Sequence, residues 1–115
     1  MSVAVAARNP DKTVLKELED AIGVTRYRCD AADPGSVASL FEAVASDHGH
    51  PRLVVHNIDG RVPEIFGKGI TEADPQIVLQ TVANGALSAF LVAQKAAVGM
   101  LDGEPDEQGS RGTII

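Results

Sequence analysis

Apolar and polar positions follow two rhythms along this chain, and each change of rhythm marks an element. Val3 to Ala7 is a compact apolar run of strand length. Val14, Leu15, Leu18, Ala21 and Ile22 then recur at helical spacing, and Gly23 closes that helix. Asn9-Pro10 reads as its cap and first helical residue, because proline loses nothing where the amide has no intrahelical partner. Val24 to Cys29 alternates as a strand. Asp33-Pro34 repeats the cap-and-proline device before a second apolar stripe of Val37, Leu40, Phe41, Val44 and Ala45, which runs out at Gly49. Leu53 to His56 is a third strand that delivers Asn57-Ile58-Asp59-Gly60 to a turn.

Residues 61–73 hold two glycines and a proline with no sustained period, so they predict a loop with room for a short helical turn. Asp74-Pro75 starts the longest helix, carried from Pro75 to Leu101. A charged, glycine-rich turn over 102–112 leads to a fourth strand at Gly112 to Ile115. Strands alternating with helices predict an α/β fold. The expectation is a partial Rossmann-like parallel sheet of about four strands with three helices, in a single domain over residues 1–115.

The long helix changes the picture of how the chain is covered. Gln80, Thr81, Asn84, Ser88 and Lys95 lie near one stripe, expected to be solvated. Val78, Leu79, Val82, Ala86, Leu87, Phe90, Leu91 and Ala97 cover most of the rest. A helix apolar on two sides needs two partners. Its own sheet is one, and the same helix in a second subunit is the other, so a homo-oligomer through Pro75 to Leu101 is expected.

Composition narrows the partners. A net charge of −6 offers no basic stripe to neutralise phosphates, so nucleic acid is not expected as a partner. Residues 75–94 carry no charge and would just span a bilayer, but Gln76, Gln80, Thr81, Asn84 and Ser88 interrupt them, so no membrane span is expected. The first residues lack a basic leader, and one cysteine fits a reducing compartment, so the reading is cytoplasmic. Cys29 is expected as a small buried strand residue. Together with His48, His50 and His56 it forms no recognised metal spacing, so no metal is expected.

Five stretches, in this order, carry a family resemblance: Val-Ala-Val-Ala-Ala-Arg-Asn-Pro-Asp-Lys from Val3, Arg-Cys-Asp-Ala-Ala-Asp-Pro from Arg28, Leu-Val-Val-His-Asn-Ile-Asp-Gly from Leu53, Ala-Phe-Leu-Val-Ala-Gln-Lys-Ala-Ala from Ala89, and Arg-Gly-Thr-Ile-Ile from Arg111. Together they resemble the short-chain dehydrogenase/reductase family, collinearly over essentially the whole chain. The resemblance implies a Rossmann-type fold and hydride transfer between NAD(P) and a carbonyl or alcohol.

It also implies roles for particular residues. Arg8 follows the strand at which that family chooses its cofactor, where an arginine pairs with the 2′-phosphate of NADP and a carboxylate would favour NAD. The reading leans to NADP, with Asn9 as a helper. Asp30 falls on the adenine-contacting segment, with the backbone amide of Ala31 completing the contact. Asn57 falls on the Asn-Ala-Gly turn beside the cofactor ribose; Asp59 stands here where glycine is usual. Asn84 lies beside the position of the helix-borne catalytic asparagine. An ungapped match puts Gly85 on that position, and one residue turns a helix by about 100°. Asn84 is the candidate catalytic residue.

The family's glycine-rich first turn is expected before Val3, and its serine, tyrosine and lysine after Ile115. Tyr27, the single tyrosine, lies in a strand. These 115 residues are therefore expected to be a fragment of an NAD(P)-dependent oxidoreductase that is not catalytic alone. The alternative is a non-catalytic oligomerising or nucleotide-sensing module. In the strand order 3-2-1-4-5-6 the central strand would be absent, so its two neighbours either close up or leave a gap for another chain.

Overall fold

The computed structural model describes every residue from Met1 to Ile115. In chain order the elements are β1 (Ala4–Ala7), α1 (Thr13–Ile22), β2 (Thr25–Arg28), α2 (Pro34–His48), β3 (Leu53–Val54), a single 3-10 turn (Pro63–Ile65), the long helix α3 (Pro75–Asp102) and β4 (Thr113–Ile114). This is a mixed α/β arrangement with three helices and short parallel strands, a partial Rossmann-like fold. β1 pairs with β2 in register Ala4↔Thr25 to Ala7↔Arg28, and β3 pairs with β4 through Leu53↔Thr113 and Val54↔Ile114. The two pairs do not close up. They remain separate two-stranded sheets.

Two of the three expected caps are in place. Asp33 accepts from the Ser36 amide at 2.6 Å and Asp74 from the Gln76 amide at 2.8 Å, each with proline opening the helix behind it. The third expectation fails. Helix α1 begins at Thr13, with Lys12 at its cap, and Asn9 instead folds a tight turn by accepting from the Asp11 amide at 3.1 Å. The short amide side chain satisfies a local donor before a helix can start. Gly23 takes a left-handed φ of 70° and its amide reaches Glu19, which stops α1 at little steric cost.

Arg26 ties β2 to the opposite end of α1. Its guanidinium donates to Glu19, to the Pro10 carbonyl at 2.6 Å and to Asp11. The core lies on the other side, where Cys29, Val37 and Val92 are buried together, with Leu40, Phe41, Val54 and Leu91 packed around them. Only 8 of 115 residues are fully buried, and Val14, Leu18 and Ile22 of α1 stay exposed. The radius of gyration, 16.3 Å, exceeds the roughly 13 Å of a compact chain of this length. The elements are formed, but much of the apolar surface they would bury in a closed sheet is uncovered.

Candidate functional site

The six residues singled out from the sequence come together. Arg8, Asn9, Asp30, Ala31, Asn57 and Asn84 all line one cavity of about 1160 Å³ between the two strand pairs. Three of them, Arg8, Asp30 and Asn84, also line a smaller recess of about 370 Å³ past the carboxyl ends of β1 and β2. Asn9, Ala31 and Asn57 border only the larger space. Residues following β1, β2 and β3 thus meet one stretch of α3, as expected at the carboxyl edge of a parallel sheet.

The side chains differ in how free they are. Arg8 is exposed and makes no ion pair, although Asp30 and Asp33 share its recess. Asp33 is engaged as the cap of α2. One carboxylate oxygen of Asp30 accepts from the Ala32 amide at 3.1 Å, while the Asp30 amide donates to the Ser36 hydroxyl at 2.9 Å. The second carboxylate oxygen of Asp30 and the amide of Ala31 are unpartnered within the chain. Asn9 has committed its side-chain oxygen to its own turn. A free guanidinium, a free carboxylate oxygen and a free amide therefore border the larger cavity together.

Helix α3 departs from regular winding where it meets the site. It runs as an α-helix over Pro75–Val82, a π-turn over Ala83–Leu87 and an α-helix again over Ser88–Asp102. The extra residue in the π-turn shifts the phase of the helix face, and this corrects the expectation of a solvated polar stripe. Ser88 is completely buried and Asn84 is half-buried, while Leu79, Val82, Phe90 and Val98 are exposed. The Ser88 hydroxyl donates to the loosened carbonyls of Asn84 and Gly85, and the His56 Nε2 lies 2.9 Å from it. His56, two residues past β3, is therefore a hydrogen-bonded anchor for α3.

The turn after β3 also differs from its expected use. Asp59, at the rim of the larger cavity, pairs with Arg61 at 2.8 Å, which holds its carboxyl down at about 2. Gly60 lies against α3 rather than toward the cavity, where a Cβ on it would stand 2.5 Å from the Gly85 nitrogen. Cys29 is buried as expected, and burial raises its thiol pKa. Sequence reasoning missed Gln76 and Gln80, which line the smaller recess. Their i, i+4 spacing on an uncharged helix start was the available signal.

The family model described as Enoyl-(Acyl carrier protein) reductase matches residues 1–113. Among solved structures, a short-chain type dehydrogenase/reductase from Mycobacterium ulcerans is 27% identical with a TM-score of 0.79, covering 98% of this chain and 40% of that one. Actinorhodin polyketide ketoreductase with NADPH, as a point variant, is 27% identical with a TM-score of 0.75, covering 87% and 39%. Enoyl-(acyl-carrier-protein) reductase from Anaplasma phagocytophilum, in complex with NAD, shares the fold at 23% identity and a TM-score of 0.79, covering 98% and 41%. The chain spans about two fifths of the length of these solved relatives. No curated protein matches it.

Proposed function

The chain belongs to the short-chain dehydrogenase/reductase family, and on that premise we propose that it supplies the adenosine-binding part of an NADP-dependent oxidoreductase. One observation carries the reading: the unpaired Arg8 and the half-free Asp30 face the same 370 Å³ recess. Arg8 offers two parallel N–H donors to a 2′-phosphate, which a ribose hydroxyl cannot match. Asp30 and the Ala31 amide take the adenine edge, and Asn9 donates to the phosphate with the amide nitrogen its turn leaves free. Asn57 lines the ribose side. Asn84, one residue into the π-turn, is the candidate for holding a proton-relay water. NADP supplies hydride chemistry at its nicotinamide; these residues bind and orient its adenosine end.

Self-association through the α3 face between Pro75 and Leu101 belongs to the same proposal. Leu79, Phe90, Val98 and Leu101 are each more than half exposed on it, and an apolar face of this kind is usual at an interface. The test is isothermal titration of the chain with NADPH and then NADH, with its mass in solution recorded alongside. Saturable NADPH binding that weakens in Arg8→Ala and Asp30→Ala supports the reading. No binding at millimolar NADPH overturns it. A monomeric mass at the same concentrations overturns the oligomer.

A further inference from the structure

We propose that Gln80 reads the base of the nucleotide from α3, its amide taking the N6–N7 edge of adenine that Asp30 and Ala31 leave open. The inference rests on the nucleotide reading above. It adds a second polar wall to the base pocket and a preference for 6-aminopurines.

Gln76, Ile77, Gln80, Ala83 and Asn84 recur on one face of the first turns of α3. All five line the 370 Å³ recess that Arg8 and Asp30 border from the strand ends. The recess therefore has a helix wall as well as a strand wall. Neither glutamine amide on that wall is engaged by the chain. The hydrogen bond at Gln76 runs from its main-chain nitrogen to the Asp74 cap, and the Thr81 hydroxyl returns to the Ile77 carbonyl, but nothing takes the side chain of Gln76 or Gln80. Both side chains are exposed, so an arriving base displaces only water from them.

Adenine has two polar edges that share its N6 amino group. With Asp30 and the Ala31 amide on N6 and N1, the open edge presents the second N6 hydrogen, a donor, beside N7, an acceptor. A carboxamide is the complement, carbonyl to N6 and NH2 to N7, the bidentate pairing of glutamine with adenine. Other groups at the recess are the wrong kind or already taken. Asp30 and Asp33 only accept, Arg8 only donates, and the Ala32 amide is spent on Asp30. An oxygen at C6, as in guanine or hypoxanthine, would set an acceptor against Asp30 and the Gln80 carbonyl together.

Position selects Gln80 over Gln76. Arg8, Asp30, Ala32 and Asn84 line both the recess and the larger cavity, so they mark where the two spaces meet, and Ala31 borders the larger one. A base held by Asp30 and Ala31 lies at that junction. Gln80 is one helical turn from Asn84 and Gln76 is two. Ile77 and Ala83 leave apolar surface beside it for a face of the ring, the usual division of labour in a small-molecule pocket.

The experiment titrates the full chain with NADPH and with the NADPH analogue that carries 7-deazaadenine. In that analogue a C–H replaces N7, while N6, N1 and the 2′-phosphate are unchanged. A neutral hydrogen bond contributes about two- to tenfold in affinity, and the analogue is expected to bind that much more weakly. Gln80→Leu, a change between two good helix formers of similar size, is expected to bind both nucleotides equally while still preferring NADPH to NADH. Gln76→Leu is expected to keep the difference. Equal binding of NADPH and the analogue by the unaltered chain overturns the proposal and leaves the nucleotide reading standing. A difference that survives Gln80→Leu, or disappears in Gln76→Leu, overturns it too, because another donor then reads N7. No binding of NADPH overturns both readings together. The comparison of the two nucleotides on the unaltered chain remains decisive should Gln80→Leu fail to fold.

Discussion

Gly60 and Gly85 stand back to back, with room for only one side chain between the turn after β3 and the π-turn of α3. A Cβ built on Gly60 meets the Gly85 nitrogen at 2.5 Å and the Thr81 carbonyl oxygen at 2.9 Å, whereas a Cβ on Gly85 finds nothing nearer than 3.9 Å. The contact is asymmetric because Gly60 points at helix backbone and Gly85 points past it. Gly60→Ala is expected to destabilise the fold by about 1–3 kcal/mol, the usual cost of overpacking. Gly85→Ala is expected to cost less. Chemical denaturation of the two variants checks the order, and equal midpoints would contradict it.

Ser88 and His56 provide the polar counterpart of that contact. The Ser88 hydroxyl has one proton, which it gives to the Asn84 and Gly85 carbonyls. The remaining bond to His56 then needs a hydrogen on the imidazole Nε2. Ser88→Ala leaves that N–H without its partner and takes the hydroxyl donor away from the two carbonyls, at a position where Ser88 is fully buried. The expected loss is about 1–3 kcal/mol, and nitrogen NMR of His56 is expected to show the Nε2–H tautomer only while Ser88 is present.

Asp59 and Arg61 make a pair whose pH dependence has a definite sign. The hydrogen bonds from Arg61 lower the Asp59 pKa from 3.8 to about 2 in the folded chain. A depressed carboxyl stabilises the fold above its unfolded pKa, and that contribution fades as pH falls from about 4 through about 2. Because both side chains are exposed, the contribution is small and salt-sensitive. In an NMR titration, Arg61→Gln is expected to return the Asp59 midpoint toward 3.8.

Tyr27 runs the other way. Partial burial first, and then the hydrogen bond to Asp47 at 2.6 Å, raise its phenol from 10.0 to about 12. A raised acid favours the neutral form in the fold, so its contribution is complete below pH 10 and is lost as pH rises through 12. Tyr27 is the single tyrosine, so phenolate absorbance reads it directly. Asp47→Asn is expected to lower the midpoint only part of the way, since burial is the larger cause.

The sequence made some of this legible and hid the rest for physical reasons. Asp33-Pro34 and Asp74-Pro75 were readable because a cap acts within three residues. The same pattern misled at Asn9-Pro10, where a turn of equal length competes for the same side chain. Arg8, Asp30, Asn57 and Asn84 were singled out by the family resemblance, and the fold brings all four to the lining of one cavity. The π-turn was not findable. One extra residue leaves composition and spacing nearly unchanged, yet it moves Ser88 from the expected solvated stripe to full burial. The open cleft was foreseen as one of two outcomes, since pairing across a sheet is a non-local choice.

Arg8 carries the prediction that bears most on cofactor choice. Its guanidinium has no carboxylate partner to give up, so a 2′-phosphate gains its hydrogen bonds without breaking an existing pair. Hydrogen bonds to charged groups contribute about 1.5–3 kcal/mol, which corresponds to roughly 10- to 150-fold in affinity. Arg8→Ala is expected to lose that much for NADPH and little for NADH. Arg8→Asp goes further: a carboxylate repels the phosphate and accepts from the ribose hydroxyls, so the preference between the two cofactors is expected to reverse. Parallel titrations decide it. If both cofactors weaken equally in Arg8→Ala, then Arg8 shapes the recess as a whole and does not read the phosphate.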